Sequence, residues 1–225
     1  MLTVKNNIMA ANAARHLGAS YDALAQSVER LSSGLRINTA KDDAAGLAVR
    51  ELMRADIAVL QQGARNAQDG IGLVQVAEGG MQTIDNLLVR MKQLAEQAAT
   101  GVYSTTQRSI MDGEFGELAD EIERIAGAAE FNGITLLNSA SGTVSVVFGQ
   151  ASDAITIDQK DMTKAGLGID TLTIGTAASA LAALGTLDSA IGTATTARAD
   201  FGAKMNRLEN TVSVIHVQTE NLMTA

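Results

Sequence analysis

From Leu184 to Leu222 a mostly apolar seam keeps spacings of three and four without a break, through Leu187, Ile191, Ala194, Arg198, Phe201, Met205, Leu208, Val212, Ile215 and Thr219. A stripe this regular predicts one long helix that buries a single face. Only Arg198 and Thr219 interrupt it with polar groups. Arg198 is expected to lay its aliphatic stem along the seam and keep its charge in water. The chain contains no proline, so no ring clashes with a preceding helical turn. At the helical rise per residue the seam covers roughly 60 Å.

A second seam of the same length runs through Ile57, Leu60, Ala64, Ala67, Ile71 and Val74, then Met81, Ile84, Leu88, Met91, Ala95 and Ala98. It predicts one helix from about Ala44 to Ala99 that tolerates Gly70, Gly72, Gly79 and Gly80, with Gly101 closing it. A third helix is expected to start near Ser104-Thr105, its seam at Met111, Phe115, Leu118, Ile122, Ile125 and Ala129. Two rods of equal length predict antiparallel packing, the third helix filling their groove. Residues 1–16 are polar, Asn-rich and weakly helical by pattern. Then comes a short seam of Leu17, Tyr21, Leu24, Val28, Leu31 and Leu35. A helix of that length is marginal in water alone, so it needs a partner.

Between the short seam and the first long one, Gly34 is the natural left-handed residue after a helix ending near Ser32-Ser33. Thr39, Asp42 and Asp43 are placed to cap the next helix. Phe131-Asn-Gly-Ile134 signals a turn. The β-branched runs Val144–Phe148 and Ala154–Ile157 read as a hairpin, and residues 158–176 as loop with one short strand at Thr171–Ile174. The fold class is therefore mostly α: an elongated antiparallel bundle of long amphipathic helices, with a small β-hairpin region between helix three and the last long helix.

Chemistry is scarce. Aromatic residues are 3% with no Trp, which suits Ala, Leu, Ile, Val and Met packing better than an aromatic-lined ligand pocket. There is no Cys, hence no disulfide, thiolate nucleophile or zinc ribbon. The net charge of −8 argues against binding nucleic acid or anionic membranes. No run of about 18 apolar residues exists to span a bilayer, and residues 1–15 lack the apolar core of a secretory signal peptide. His16 and His216 stand apart, outside any metal-ligand spacing, and no nucleophile elbow or phosphate loop is present. No catalytic residue, metal or cofactor is expected. Asp112, Glu114, Glu117, Asp120, Glu121 and Glu123 read as a solvated acidic face on helix three. Arg90 and Leu94 share a helical stripe just off the core positions, and an exposed Leu beside an Arg makes a candidate partner-binding patch.

Several stretches resemble bacterial flagellins: Asn6-Asn7-Ile8, Asn12-Ala13, Leu31-Ser-Ser-Gly-Leu-Arg-Ile-Asn38, Asp42-Asp-Ala-Ala-Gly-Leu47 and Asn66-Ala-Gln-Asp-Gly-Ile71. Ala77-Glu-Gly79, Phe131-Asn-Gly-Ile134, Ala197-Arg-Ala-Asp-Phe-Gly-Ala203 and Asn206-Arg-Leu-Glu-Asn210 continue the likeness. The resemblance implies a non-enzymatic filament subunit, secreted through the flagellar type III export apparatus and located in the extracellular flagellum. It implies an inner helical layer at residues 1–43 and a rod-shaped core at 44–225 carrying a short β/loop insertion at about 141–176. The Leu17–Leu35 seam would serve assembly with other copies. Arg90, Leu94 and Glu114 match the family's contact patch for the flagellin-sensing Toll-like receptor, although Val89 stands where the family usually has Gln. Flagellins continue beyond the Asn221-Leu-Met motif with a helix that pairs with the N-terminal one. The sequence ends at Ala225, so residues 1–40 are expected to be poorly ordered alone or to pack on another copy. Two alternatives remain: the hook–filament junction protein, and a secreted receptor ligand that does not assemble.

Overall fold

The computed structural model describes residues 7–139, 141–149 and 153–224. Asn6 of the first flagellin-like motif, the residues before it and Ala225 lie outside these. The chain divides into two compact units, Met1–Ile57 and Ala58–Ala225.

In the first unit, helix α1 runs Ile8–Ser33, so residues expected to be weakly helical are helical from Ile8 onward. The Asn7 side chain caps it by accepting from Ala10 N, a signal hidden in a stretch with little apolar periodicity. Gly34 ends it at φ 69°, ψ 6°, its N–H donating to Arg30 O, as its left-handed preference predicts. No residue of α1 is buried. Helix α2 begins at Ala44, and Asp43 caps it by accepting from Ala45 N and Gly46 N at 3.0 Å each. Thr39 and Asp42 cap nothing in α2. They close the turn before it, because Asp42 Oδ2 accepts from Asn38 N, Thr39 N and the Thr39 hydroxyl.

α2 continues unbroken to Ala99, as its seam predicts. Within the second unit it packs with α3 (Thr105–Ala128) and α4 (Ala177–Thr224) around one core. The ion pairs fix the directions. Glu78 and Asp85 of α2 meet Arg198, and further along Lys92 meets Asp188, so α4 runs antiparallel to α2. Arg90 meets Glu114 and the Arg108 guanidinium meets Ala98 O, so α3 is antiparallel to α2 as well. Ser104 and Gln107 form a reciprocal capping box at the start of α3. Gly101 has no left-handed conformation; Arg108 instead donates to Ala98 O and Thr100 O at 2.8 Å each and satisfies the carbonyls at the end of α2.

After α3, β1 (Glu130–Phe131) and β2 (Ile134–Thr135) form a minimal hairpin around Asn132 at φ 52° and Gly133 at φ 77°. Positive φ at both central residues is the type I′ signature of an Asn-Gly pair. β3 (Thr143–Val147) pairs antiparallel with β4 (Ala154–Asp158), the predicted hairpin. β4 sits on α4 through Lys204–Asp158, and Lys160 just past the strand adds a pair with Asp200. β3 lies against α2, where Asn66 Nδ2 donates to Val147 O at 2.8 Å. The backbone just past β3 comes so close that a Cβ on Gly63 would stand 2.1 Å from Phe148 O, and the β3 side chain of Val146 so close that a Cβ on Gly70 would stand 2.9 Å from its methyl. Two glycines seven residues apart thus make the floor on which the hairpin rests.

The expected strand at Thr171–Ile174 does not form. Ile174 is buried, and its N–H donates to Asp112 Oδ1 at 2.6 Å, a side chain taking the place of a strand partner. The acidic face of α3 is correspondingly more than a solvated one. Asp120 takes Lys164 Nζ, Glu123 takes Lys164 N, and Asp112 takes Ile174 N, so α3 carboxylates pin the 158–176 segment.

Candidate interaction surfaces

Three places gather the residues singled out by the sequence. The first is the α1 face. Leu17, Tyr21, Leu24, Val28 and Leu31 are between 57% and 85% exposed, and Leu35 just past the helix is 45% exposed. A contiguous apolar stripe left in water is the mark of a surface awaiting a partner.

The second is the Asp42 knot that closes the joint after α1. Besides the Asn38 and Thr39 donors, Asp42 Oδ1 accepts from Gln26 Nε2 and, at 3.2 Å, from Arg30 Nη2. Its side chain is only 7% exposed. The joint folds back further on, where Arg50 Nη1 donates to Ile37 O at 2.7 Å and Ile37 covers Gly46. The Thr39 N–H first, then the Thr39 hydroxyl, Asn38 N–H and Gln26 amide, outweigh desolvation and hold the Asp42 carboxyl at about 2 against an ordinary 3.8. A carboxyl depressed on folding binds fewer protons than in the unfolded chain. The knot is therefore fully stabilising above the ordinary carboxylate range and is expected to loosen as pH falls through about 2. The Thr39 amide resonance should titrate with that low midpoint; a midpoint near the ordinary value would mean the knot does not form in solution.

The third is the α2–α3 face. Arg90 Nη2 and Nε reach Glu114 Oε1 at 2.6 and 3.0 Å, so two of the three predicted patch residues form one ion pair. Both side chains are about half exposed. Leu94 differs from expectation, because it is buried at 2% exposure. The stripe Leu87–Arg90–Leu94 faces α3, as the Arg90–Glu114 pair requires, while Leu88, Met91 and Ala95 also lie inside. Two neighbours gripping α2 widen its buried arc beyond the single seam visible in the sequence.

Arg198 departs from expectation in the same way. Its Nε and Nη2 donate to Glu78 Oε1 at 3.0 and 2.8 Å, and Nη1 donates to Asp85 Oδ2 at 2.8 Å. These partners raise its pKa, Glu78 foremost. The guanidinium is paired with two α2 carboxylates while the side chain stays 34% exposed. Asp85 Oδ1 is buried and finds no hydrogen-bond partner among the described residues, while its Oδ2 accepts from the Arg198 guanidinium. Periodicity marks the position of Arg198 but carries no information about the opposing charges.

No group of three His, Cys, Asp or Glu able to hold a metal ion occurs among the described residues, and no described helix is long and apolar enough to cross a membrane. What the molecule displays is helical surface. Residues 4–142 match the family described as the bacterial flagellin N-terminal helical region. The chain belongs to the bacterial flagellin family. A flagellin of Halalkalibacterium halodurans is 36% identical over the whole chain, which covers 84% of that relative. Polar flagellin F of Vibrio parahaemolyticus is 44% identical over 74% of the chain, which spans only 44% of the relative's length. The crystal structure of Bacillus cereus flagellin superposes with a TM-score of 0.61 at 33% identity, covering 67% of this chain and 88% of that one. None of these flagellins carries an enzyme's name.

Proposed function

We propose that the chain is a structural subunit of the bacterial flagellar filament. The observation that carries this reading is the pairing of flagellin family membership with an α1 face whose apolar seam is left exposed among the described residues. Residues 1–43 would form an inner helical layer and 44–225 a rod-shaped core, copies joining through the seam of Leu17, Tyr21, Leu24, Val28, Leu31 and Leu35. Export would run through the flagellar type III apparatus, delivering the subunit outside the cell. Salting-out of purified protein followed by negative-stain microscopy tests this. Filaments are the expected product; a species that stays soluble under all such conditions would favour the non-assembling ligand. The identity to flagellins speaks against the hook–filament junction reading.

The Arg90–Glu114 pair is proposed as the charged centre of a patch read by the flagellin-sensing Toll-like receptor. Leu94, lying beneath the surface, would hold α2 and α3 at the spacing that presents the pair. Arg90→Asp sets two carboxylates against each other at a rim where the fold has little at stake. Receptor-driven reporter activity is expected to fall about tenfold or more, equivalent to about 1.4 kcal/mol of binding. An unchanged dose–response would end the idea.

A further inference from the structure

The β1–β2 turn holds a different kind of site. Asn132 is the only asparagine in the chain followed by glycine. Asn66, Asn86, Asn206, Asn210 and Asn221 lie within helices, whose backbone geometry keeps the amide from its neighbour's nitrogen. Asn38 precedes a β-branched threonine and has its own N–H engaged with Asp42. Asn132 is exposed, and the Gly133 N–H donates to no described atom. A Cβ on Gly133 would meet nothing within 4 Å, so the flank of the turn is open to water.

We infer that Asn132 is a site of spontaneous deamidation that ages this turn. The Gly133 backbone nitrogen, losing its proton, attacks Cγ of Asn132. The new N–C bond closes a five-membered succinimide as the side-chain nitrogen leaves with a proton as ammonia. Water then opens the ring at one of its two carbonyls, giving an aspartate or a β-linked isoaspartate at position 132. No oxidant or reductant is needed. The type I′ geometry itself, with Asn132 at φ 52°, does not aim nitrogen at Cγ, so reaction requires transient opening. Such opening has only the short ladder of two-residue strands to break, while the bond from Leu136 N to Ala129 O at 2.9 Å can stay in place behind it. The β-linked product inserts an additional atom into the main chain, which a two-residue turn cannot hold in the Glu130↔Thr135 register. Either product also puts a carboxylate into the groove that Asp69 of α2 already lines.

The test is incubation of the full chain at neutral pH and at pH 9, then peptide mapping and labelling with an isoaspartyl-specific methyltransferase. The peptide spanning Phe131 to Leu136 is expected to gain the carboxylate at least an order of magnitude faster than any peptide bearing another asparagine, and faster at the higher pH. An Asn132→Gly variant retains residues suited to positive φ at both turn positions and should lose the label. Persistence of the label in that variant would overturn the assignment. So would an Asn132 amide that survives as long as those held in α2 and α4.

Discussion

Leu24→Asp is expected to abolish filament formation while leaving the Ala58–Ala225 unit folded. Leu24 sits at the middle of the α1 seam and is 58% exposed, so in the isolated chain its replacement removes little buried surface. In an assembled layer the same side chain would be covered, at about 1.5–3 kcal/mol for a fully buried leucine. A carboxylate there would also have to be desolvated without a partner. One such defect recurs in every copy, and a filament has no unmodified interface to fall back on. Sedimentation after salting-out reads assembly, and thermal unfolding by circular dichroism reads the core. Filaments in normal yield would remove the seam from the assembly surface.

The second large effect separates two glycines of one helix. Gly63→Ala places a Cβ 2.1 Å from Phe148 O and 2.6 Å from its carbonyl carbon. Both are backbone atoms and cannot rotate away, so β3 must lift from α2. Overpacking of this kind costs about 1–3 kcal/mol, and the loss should fall in the upper part of that range or beyond because a docked strand moves. Gly79→Ala meets nothing within 4 Å and should stabilise by about 0.8–1 kcal/mol through helix propensity alone. Urea unfolding of the two variants is therefore expected to shift in opposite directions. A stabilising Gly63→Ala would mean the hairpin does not seat on that glycine.

The long helices were legible because their seams repeat many times. α2 ends at Ala44 and Ala99 as read, since Asp43 and the polar turn after Ala99 bracket an unbroken pattern. The Val144–Phe148 and Ala154–Ile157 hairpin was equally plain from its β-branched runs. Partner-dependent features were not. Leu94 looked exposed because a single-seam reading assumes one neighbour, whereas α2 is covered from two sides. Arg198 looked solvated because Glu78 and Asp85 lie more than a hundred residues away in sequence. Thr171–Ile174 has strand-like composition, but Asp112 claims the Ile174 N–H and leaves no ladder to join. The start of α1 was missed for a local reason: Asn7 supplies a cap where hydrophobic spacing supplies nothing. Of the patch residues, Arg90 and Leu94 are marked by their shared helical stripe and Glu114 only by family resemblance, while the Arg90–Glu114 contact itself is visible only in the folded structure.

Arg108 has a consequence for the order in which the protein comes apart. A helix end ordinarily frays independently of its neighbours in the chain. Here the last carbonyls of α2 are held by a guanidinium rooted in the first turn of α3, so the α2 terminus, the turn and the α3 start open together or not at all. Native-state hydrogen exchange should therefore show the amides near Thr100 and those near the start of α3 sharing one opening free energy, behaving as a single cooperative unit at an end of the bundle where two separate frays would otherwise be expected.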